Sequence, residues 1–141
     1  MSRLLVSAQL LLIVLIAFPF HAVQWSALNV GLFILGAIVA IAAITVMPSR
    51  SFSVMPEPKS GGELVTRGIY RHIRHPMYLA LLLCGLAACL AYGSSLKWGL
   101  LLLLAAVLTA KIRLEERLLL ARFEDYAAYR LRTKALIPYL I

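Results

Sequence analysis

Four apolar stretches, separated by short polar segments, account for most of the chain. They predict spans over residues 4–20, 27–47, 77–92 and 98–112. A helix that crosses a membrane needs roughly 17–25 mostly apolar residues, so the first two stretches are long enough by themselves. The last two are shorter, but the Gly93-Ser94-Ser95 break between them favours a helical hairpin. The pattern predicts an all-α, polytopic membrane protein with four transmembrane helices.

The polar segments predict a loop and one further helix. Residues 48–76 carry prolines and glycines that forbid a continuous helix. Residues 113–133 contain neither, and four apolar or aromatic side chains recur there at helical spacing: Leu119, Phe123, Tyr126 and Tyr129. We therefore expect a cytosolic loop at 48–76 and a C-terminal amphipathic interfacial helix at 113–133, all within a single domain of residues 1–141.

Composition and charge support a membrane protein and orient it. Hydrophobic residues make up 62% of the chain and charged residues only 14%, whereas about a quarter is charged in a soluble domain. Of the 14 basic residues, one precedes the first span, five lie at 48–76 and seven lie at 111–134, from the end of the fourth span onward, which leaves Lys97 alone opposite. The positive-inside rule then places both termini and the loop in the cytosol. A cleaved secretory signal over residues 1–22 is the alternative and would leave three spans.

Two polar islands border the third and fourth spans and could carry chemistry. The first is Gly68 to Tyr78, in which His75 lies beside the free N–H groups of a helix N-terminus, a place suited to an anion. The second is Glu115-Glu116, which could face a cation together with nearby aromatic rings. A ligand with a carboxylate, an ammonium and a sulfonium would use all of these groups, and S-adenosylmethionine is such a ligand. The basic residues are explained by anionic headgroups without nucleic acid, and the scattered His and Cys residues supply no metal site.

The order and spacing of these residues resemble a known superfamily. The matching strings are Leu64-Val65-x-x-Gly68-x-Tyr70, Arg74-His75-Pro76-x-Tyr78, Glu115-Glu116 and Phe123-x-x-Tyr126-x-x-Tyr129. Over about the last 80 residues the chain resembles the isoprenylcysteine carboxyl methyltransferase and phospholipid methyltransferase superfamily of integral membrane enzymes. The resemblance implies S-adenosylmethionine bound from the cytosolic side and methylation of a lipophilic acceptor.

The resemblance also assigns roles to residues. It implies a cofactor site formed by Gly62, Glu63, Leu64, Val65, Tyr70, His75, Pro76, Met77, Tyr78, Glu115 and Glu116. It places Lys111 where the prenylcysteine branch has an arginine that meets the substrate carboxylate, and we expect Lys111 and Arg74 on the substrate side. Lysine lacks the bidentate fork of arginine, and Phe123-Glu124-Asp125-Tyr126 lacks the glycine of the usual Phe-Gly-x-x-Tyr.

The expected reaction depends mainly on positioning and desolvation of the reactants. An anionic acceptor needs no general base, whereas an amine would require His75 or Glu115 to take a proton. Two other functions fit the sequence. One is a nicotinamide-dependent membrane reductase of the sterol type, with Arg67, Arg71 and Arg74 available for phosphates. The other is a non-enzymatic protein whose basic loop binds anionic lipid.

Overall fold

The computed structural model describes residues 2–19, 22–48, 51 and 61–137. Within these ranges the chain forms five α-helices: α1 (Ser2–Ala17), α2 (Ala27–Val46), α3 (Pro76–Tyr92), α4 (Ser95–Arg122) and α5 (Tyr126–Arg132). A short 3₁₀ turn, Gly68–Arg71, precedes α3. The described residues contain one isolated β-bridge, Ile73 with Lys134, and no strand. The predicted all-α fold is confirmed for this part of the chain.

The fourth helix is longer than the sequence pattern predicts. It runs without a break through residue 112 to Arg122, because nothing in residues 111–122 stops a helix. The C-terminal helix predicted at 113–133 is therefore divided. Its first half belongs to α4, the extended backbone of Phe123 ends that helix, and only Tyr126–Arg132 forms a separate helix. Of the loop predicted at 48–76, residues 49–50 and 52–60 lie outside the described residues.

The outer surface of the helices is apolar. By length and composition α2 and α4 can each cross a membrane, whereas α1 and α3 are apolar helices of 16 and 17 residues. Large side chains on α2 are open to the surroundings, among them Leu28 at 64% and Ile41 at 62% exposure. Soluble monomers rarely expose contiguous surfaces of this kind. The chain is therefore a membrane protein whose outer face suits lipid.

The helices pack through small residues and one compact apolar cluster. A Cβ added to Gly36 of α2 would lie 2.7 Å from Cys84 Sγ and 3.1 Å from Ala80 O, both on α3. Only glycine permits this approach, and close contact of small residues is how helices associate where lipid surrounds them. On the other side, α1 packs against α4 through four buried residues: Leu12, Ile16, Leu104 and Leu108.

The loop before α3 is held against the end of α2. Gly68 has φ +59°, and a Cβ there would meet Val46 Cγ2 at 2.6 Å, so the left-handed turn and the close approach both require glycine. The 3₁₀ turn that follows buries Tyr70 in a cluster with Ala43 and Val65. This arrangement fixes the point at which the chain enters α3 at His75.

Lys97, at the start of α4, closes the opposite end of the bundle. Its side chain is 1% exposed, and Nζ donates hydrogen bonds to the carbonyls of Leu15, Ile16 and Phe18 at 2.6–2.9 Å. These carbonyls lie at the C-terminus of α1, where the helix dipole is negative and the last C=O groups have no helical partner. Lys97 therefore caps α1 from another helix.

Replacing Lys97 with Met should destabilise the fold. The methionine keeps an aliphatic stem but leaves the three carbonyls without their donor, so we expect the free energy of unfolding to fall by about 2 kcal/mol. Denaturant unfolding in detergent, followed by circular dichroism, measures the change. The exposed neighbour Leu96 provides the control, Leu96→Met, which should behave as wild type. A Lys97→Met protein with wild-type stability would contradict the capping role.

Candidate active site

A cavity of about 470 Å³ lies where the start of α3 meets the second half of α4. Its walls come from all five helices and from the loop at 62–65. Its volume lies within the usual range for small-molecule sites, roughly 300–1,000 Å³. The polar groups that reach this cavity define the candidate site.

Glu115 connects α4 to the beginning of α3. Its Oε1 accepts a hydrogen bond from the Tyr78 hydroxyl, and its Oε2 lies 3.4 Å from His75 Nδ1. The rings of His75 and Tyr78 stack with their planes 2° apart and their centroids 5.6 Å apart. The two polar islands of the sequence are therefore in direct contact, and Glu115, His75 and Tyr78 all line the cavity.

Glu116, the next residue, also lies near His75, but its other partners differ from those of Glu115. Its Oε1 accepts from Arg74 Nε at 2.7 Å, and its Oε2 lies 3.1 Å from Arg130 Nε. The Arg74 guanidinium also donates to the Arg130 carbonyl at 3.1 Å and to the Thr133 carbonyl. Glu116 therefore holds the C-terminal segment through Arg74 and Arg130, and it does not line the cavity.

Backbone hydrogen bonds reinforce this attachment of the C-terminal segment. The N–H of Arg74 donates to the Lys134 carbonyl at 2.8 Å, and the N–H of His75 donates to the Ala135 carbonyl at 2.9 Å. The Tyr129 hydroxyl donates to the Tyr70 carbonyl at 2.6 Å. The chain after α4 thus returns to form one wall of the cavity.

A buried amide and a buried ammonium lie on the side of the cavity that faces α1. Lys111 of α4, which is 1% exposed, donates from Nζ to Gln9 Oε1 of α1 at 2.7 Å. The same Nζ lies 5.1 Å from the centroid of the Tyr78 ring, within the range of a cation–π contact. Both side chains line the cavity and can contact a polar group there.

Two buried polar atoms at the cavity make no hydrogen bond with the described residues. They are the Tyr126 hydroxyl and His75 Nε2, the latter 3.5 Å from Glu116 Oε1. Burial raises the pKa of Tyr126, so its hydroxyl stays protonated and offers a donor. A buried polar group without a partner costs about 1–3 kcal/mol, and a ligand that accepts a hydrogen bond there would remove this cost. These atoms therefore suit a bound polar molecule.

The protonation of His75 depends on its two carboxylate neighbours. Burial by itself would lower the pKa of the imidazole, but the Glu115 and Glu116 carboxylates favour the charged form, and the net result is a pKa raised above 6.5. Burial, followed by the charges of Tyr129 and Glu115, raises the pKa of Tyr70 to about 12. The site thus combines an imidazole whose charged form its neighbours favour with phenols that burial keeps protonated.

The structure brings nearly all of the predicted site residues to one cavity. Twelve of them line it: Gly62, Glu63, Leu64, Val65, Tyr70, Arg74, His75, Pro76, Met77, Tyr78, Lys111 and Glu115. Glu116 is the exception, and the guanidinium of Arg74 is engaged by protein groups. Lining residues that the prediction did not assign include Gln9, Phe123, Tyr126 and Tyr129. In the sequence, only two features indicated these residues: the single amide of Gln9 within an apolar helix, and the helical spacing of Phe123, Tyr126 and Tyr129.

The two adjacent glutamates should respond differently to the same substitution. Glu116→Gln leaves Arg74 buried without its carboxylate, so we expect a loss of about 3 kcal/mol in the free energy of unfolding and faster tryptic cleavage after Arg130 and Arg132. In Glu115→Gln the amide oxygen can still accept from Tyr78, so digestion should keep the wild-type rate. Equal digestion rates for the two variants would contradict the different roles assigned to Glu115 and Glu116.

The raised pKa of His75 predicts a pH dependence of stability. Because the folded pKa lies above the unfolded value of 6.5, the contribution is complete below pH 6.5 and is lost as the pH rises through the folded pKa. As the pH rises above 6.5, the free energy of unfolding should therefore fall less in His75→Gln than in wild type. Denaturant titrations at a series of pH values measure this difference. The exposed His72 gives the control, since His72→Gln should keep the wild-type slope, and an unchanged slope in His75→Gln would refute the assignment.

Comparison with known proteins bears on this arrangement. No curated protein matches the chain. The sequence model of the phospholipid methyltransferase family matches residues 23–125. The match begins ahead of α2, earlier than the resemblance in the sequence motifs, and it ends just before Tyr126. It contains the start of α3, His75 and Glu115. Since it covers well over half of the chain, this protein belongs to the phospholipid methyltransferase family.

Proposed function

We propose that this protein transfers a methyl group from S-adenosylmethionine to a lipophilic acceptor in the membrane. Membership of a membrane methyltransferase family supports the reaction class. The observation that carries the proposal is the convergence of Glu115, His75 and Tyr78 with the unpartnered Tyr126 hydroxyl on one cavity. S-adenosylmethionine supplies an electrophilic methyl group on a positively charged sulfur.

The groups at the cavity complement the charges of this methyl donor. Glu115 offers a carboxylate to a cation, and the rings of Tyr70, Tyr78 and Phe123 offer π faces that attract positive charge. The imidazole of His75, whose raised pKa favours its charged form, and the hydroxyl donor of Tyr126 suit an anionic or carbonyl oxygen. We assign the cofactor to these residues together with the loop at 62–65, and the acceptor headgroup to the side of Lys111 and Gln9.

The environment of His75 favours a holding role over a role as base. The Glu115 and Glu116 carboxylates raise the pKa of His75 and so favour the protonated imidazole, which cannot accept a further proton. Glu115 is then the group that would take a proton from an amine acceptor, while a carboxylate or thiolate acceptor needs no base. Beside the apolar groups that line most of this cavity, the local dielectric is lower than in water, and the opposite charges of such an acceptor and a sulfonium attract more strongly.

The proposal includes the orientation of the protein. Four helices cross the membrane, and both termini and the active site lie on the cytosolic side, with membrane lipids as neighbours and no nucleic acid as partner. The distribution of the basic residues supports this orientation.

A single cysteine at Leu96 should react with an impermeant thiol reagent from outside intact cells, whereas one at Arg113 should not. The reverse pattern would exclude the orientation.

Ligand-induced stabilisation in detergent tests the proposed cofactor. S-adenosylmethionine at 100 times its dissociation constant should raise the free energy of unfolding by about 2.7 kcal/mol. Glu115→Gln and His75→Ala should lose this effect, while Glu124→Gln, which changes an exposed acid after α4, should keep it. Transfer of labelled methyl from the cofactor into a lipid extract then detects the reaction. A full response of both site variants would contradict the assignment.

NADPH serves as the competing ligand in the same assay. A reductase would need cationic groups for its phosphates, but Arg67 and Arg71 are exposed and do not line the cavity, and Arg74 is bound to Glu116. We therefore expect no stabilisation by NADPH, and stabilisation by NADPH alone would favour the reductase.

A further inference from the structure

A second cavity, of about 290 Å³, lies next to the first, on the side toward the opposite end of the bundle. Residues of α1, α2, α3 and α4 line it, and two residues of α3, Leu81 and Cys84, line both cavities. Below these two residues its α3 wall consists mainly of small side chains: Gly85, Ala87, Ala88 and Ala91. The small side chains leave the space open.

Two polar side chains that line the second cavity, Asn29 and Tyr92, are hydrogen-bonded within the protein. Asn29 donates from Nδ2 to the Gln24 carbonyl at 2.7 Å and accepts from the Ser26 N–H at 3.0 Å. The Tyr92 hydroxyl donates to the Ala17 carbonyl at 3.1 Å. Most other lining side chains are aliphatic or aromatic. The cavity thus offers apolar contact and little opportunity for a polar group, which suits a hydrocarbon occupant.

The length of the second cavity suits a chain and not a compact group. Its lining runs along α3 from Leu81 to Ala91, a rise of about 15 Å at the spacing of an α-helix. A chain that enters at Leu81 and Cys84 has its other end in the first cavity, beside Glu115 and Lys111.

We propose that the second cavity holds the hydrocarbon chain of the methyl acceptor, and that its far end limits the length of that chain. This inference rests on the proposed function. The acceptor is then a lipid whose headgroup lies beside Lys111 and whose tail passes Cys84 into the interior of the protein. Since each buried methylene contributes about 0.8 kcal/mol, chain length becomes a determinant of substrate choice.

Saturated fatty acids from octanoate to stearate, titrated into the purified full chain in a bulky steroid detergent, provide the probe. Apparent affinity should rise about fourfold with each methylene and level off at one length. Geranylgeranoic acid in a parallel titration distinguishes a polyisoprenoid tail from an unbranched one, and the tighter class identifies the source of the chain. A rise that continues through the longest acid would show detergent partitioning and would overturn the proposal.

A matched pair of substitutions tests whether the second cavity sets the limit on chain length. Ala88→Phe fills the second cavity and should move the plateau to a shorter acid. Ala106→Phe, on the exposed face of α4, adds the same ring outside the cavity and should leave the plateau unchanged. The same plateau in both variants would overturn the proposal.

Cysteine protection gives a second measurement on the unmodified chain, independent of whether Ala88→Phe folds. Acids that reach the second cavity should protect Cys84 from modification by methyl methanethiosulfonate. Cys89 is fully buried and lines neither cavity, so its modification reports general unfolding. Unprotected Cys84 at saturating palmitate would reject the inference. S-adenosylmethionine binding to wild type tests the proposed function separately. If the acids show a length limit but S-adenosylmethionine does not bind, the proposed methyl donor is wrong and the chain cavity stands. If S-adenosylmethionine binds but the acids show no length limit, the chain cavity is wrong and the methyl donor stands.

Discussion

The contact between Glu115-Glu116 on α4 and Arg74-His75 at the start of α3 is the constraint on which the site depends. It joins elements separated by about forty positions in the chain and fixes the imidazole between two carboxylates. Charged side chains at the edge of a membrane helix are costly unless they are paired or used. Here the pairing also determines where α3 begins, where the C-terminal segment returns and which groups face the cavity.

The geometry of the helix explains why two adjacent glutamates have different partners. Successive residues of an α-helix point about 100° apart, so one carboxylate can face the cavity only if the next faces elsewhere. Glu115 contacts Tyr78 and His75 within the cavity wall, while Glu116 contacts Arg74 and Arg130 behind it. Glu116 thereby holds in place the wall that contains Tyr126 and Tyr129. A ligand bound at Glu115 would touch this wall.

The sequence indicated the helices well, because long apolar runs have few other solutions. It also indicated His75, Tyr78 and Glu115, since their spacing beside helix ends is unusual for a structural role alone. It did not place the end of α4, because charged residues at 111–122 are compatible both with a continuing helix and with a new one. Gln9 and Lys97 were missed for a different reason. Their partners lie on helices distant in sequence, and only tertiary packing brings the amide to Lys111 and the ammonium to the end of α1.

The small residues of α3 connect the packing of the bundle to its cavities. Helices that are surrounded by lipid gain little from burying apolar area and depend on close contact. On one side of α3, Ala80 and Cys84 receive Gly36 of α2 at a distance that no larger residue would allow. On the side that faces α1, Ala88 packs against the cluster that contains Leu12 and Leu104, and the small side chains of Ala88 and Ala91 line a cavity there. With alanine, glycine and cysteine at these positions of an otherwise leucine-rich helix, α3 can hold the bundle together and leave room for a lipid chain, which leucine at positions 88 and 91 would prevent.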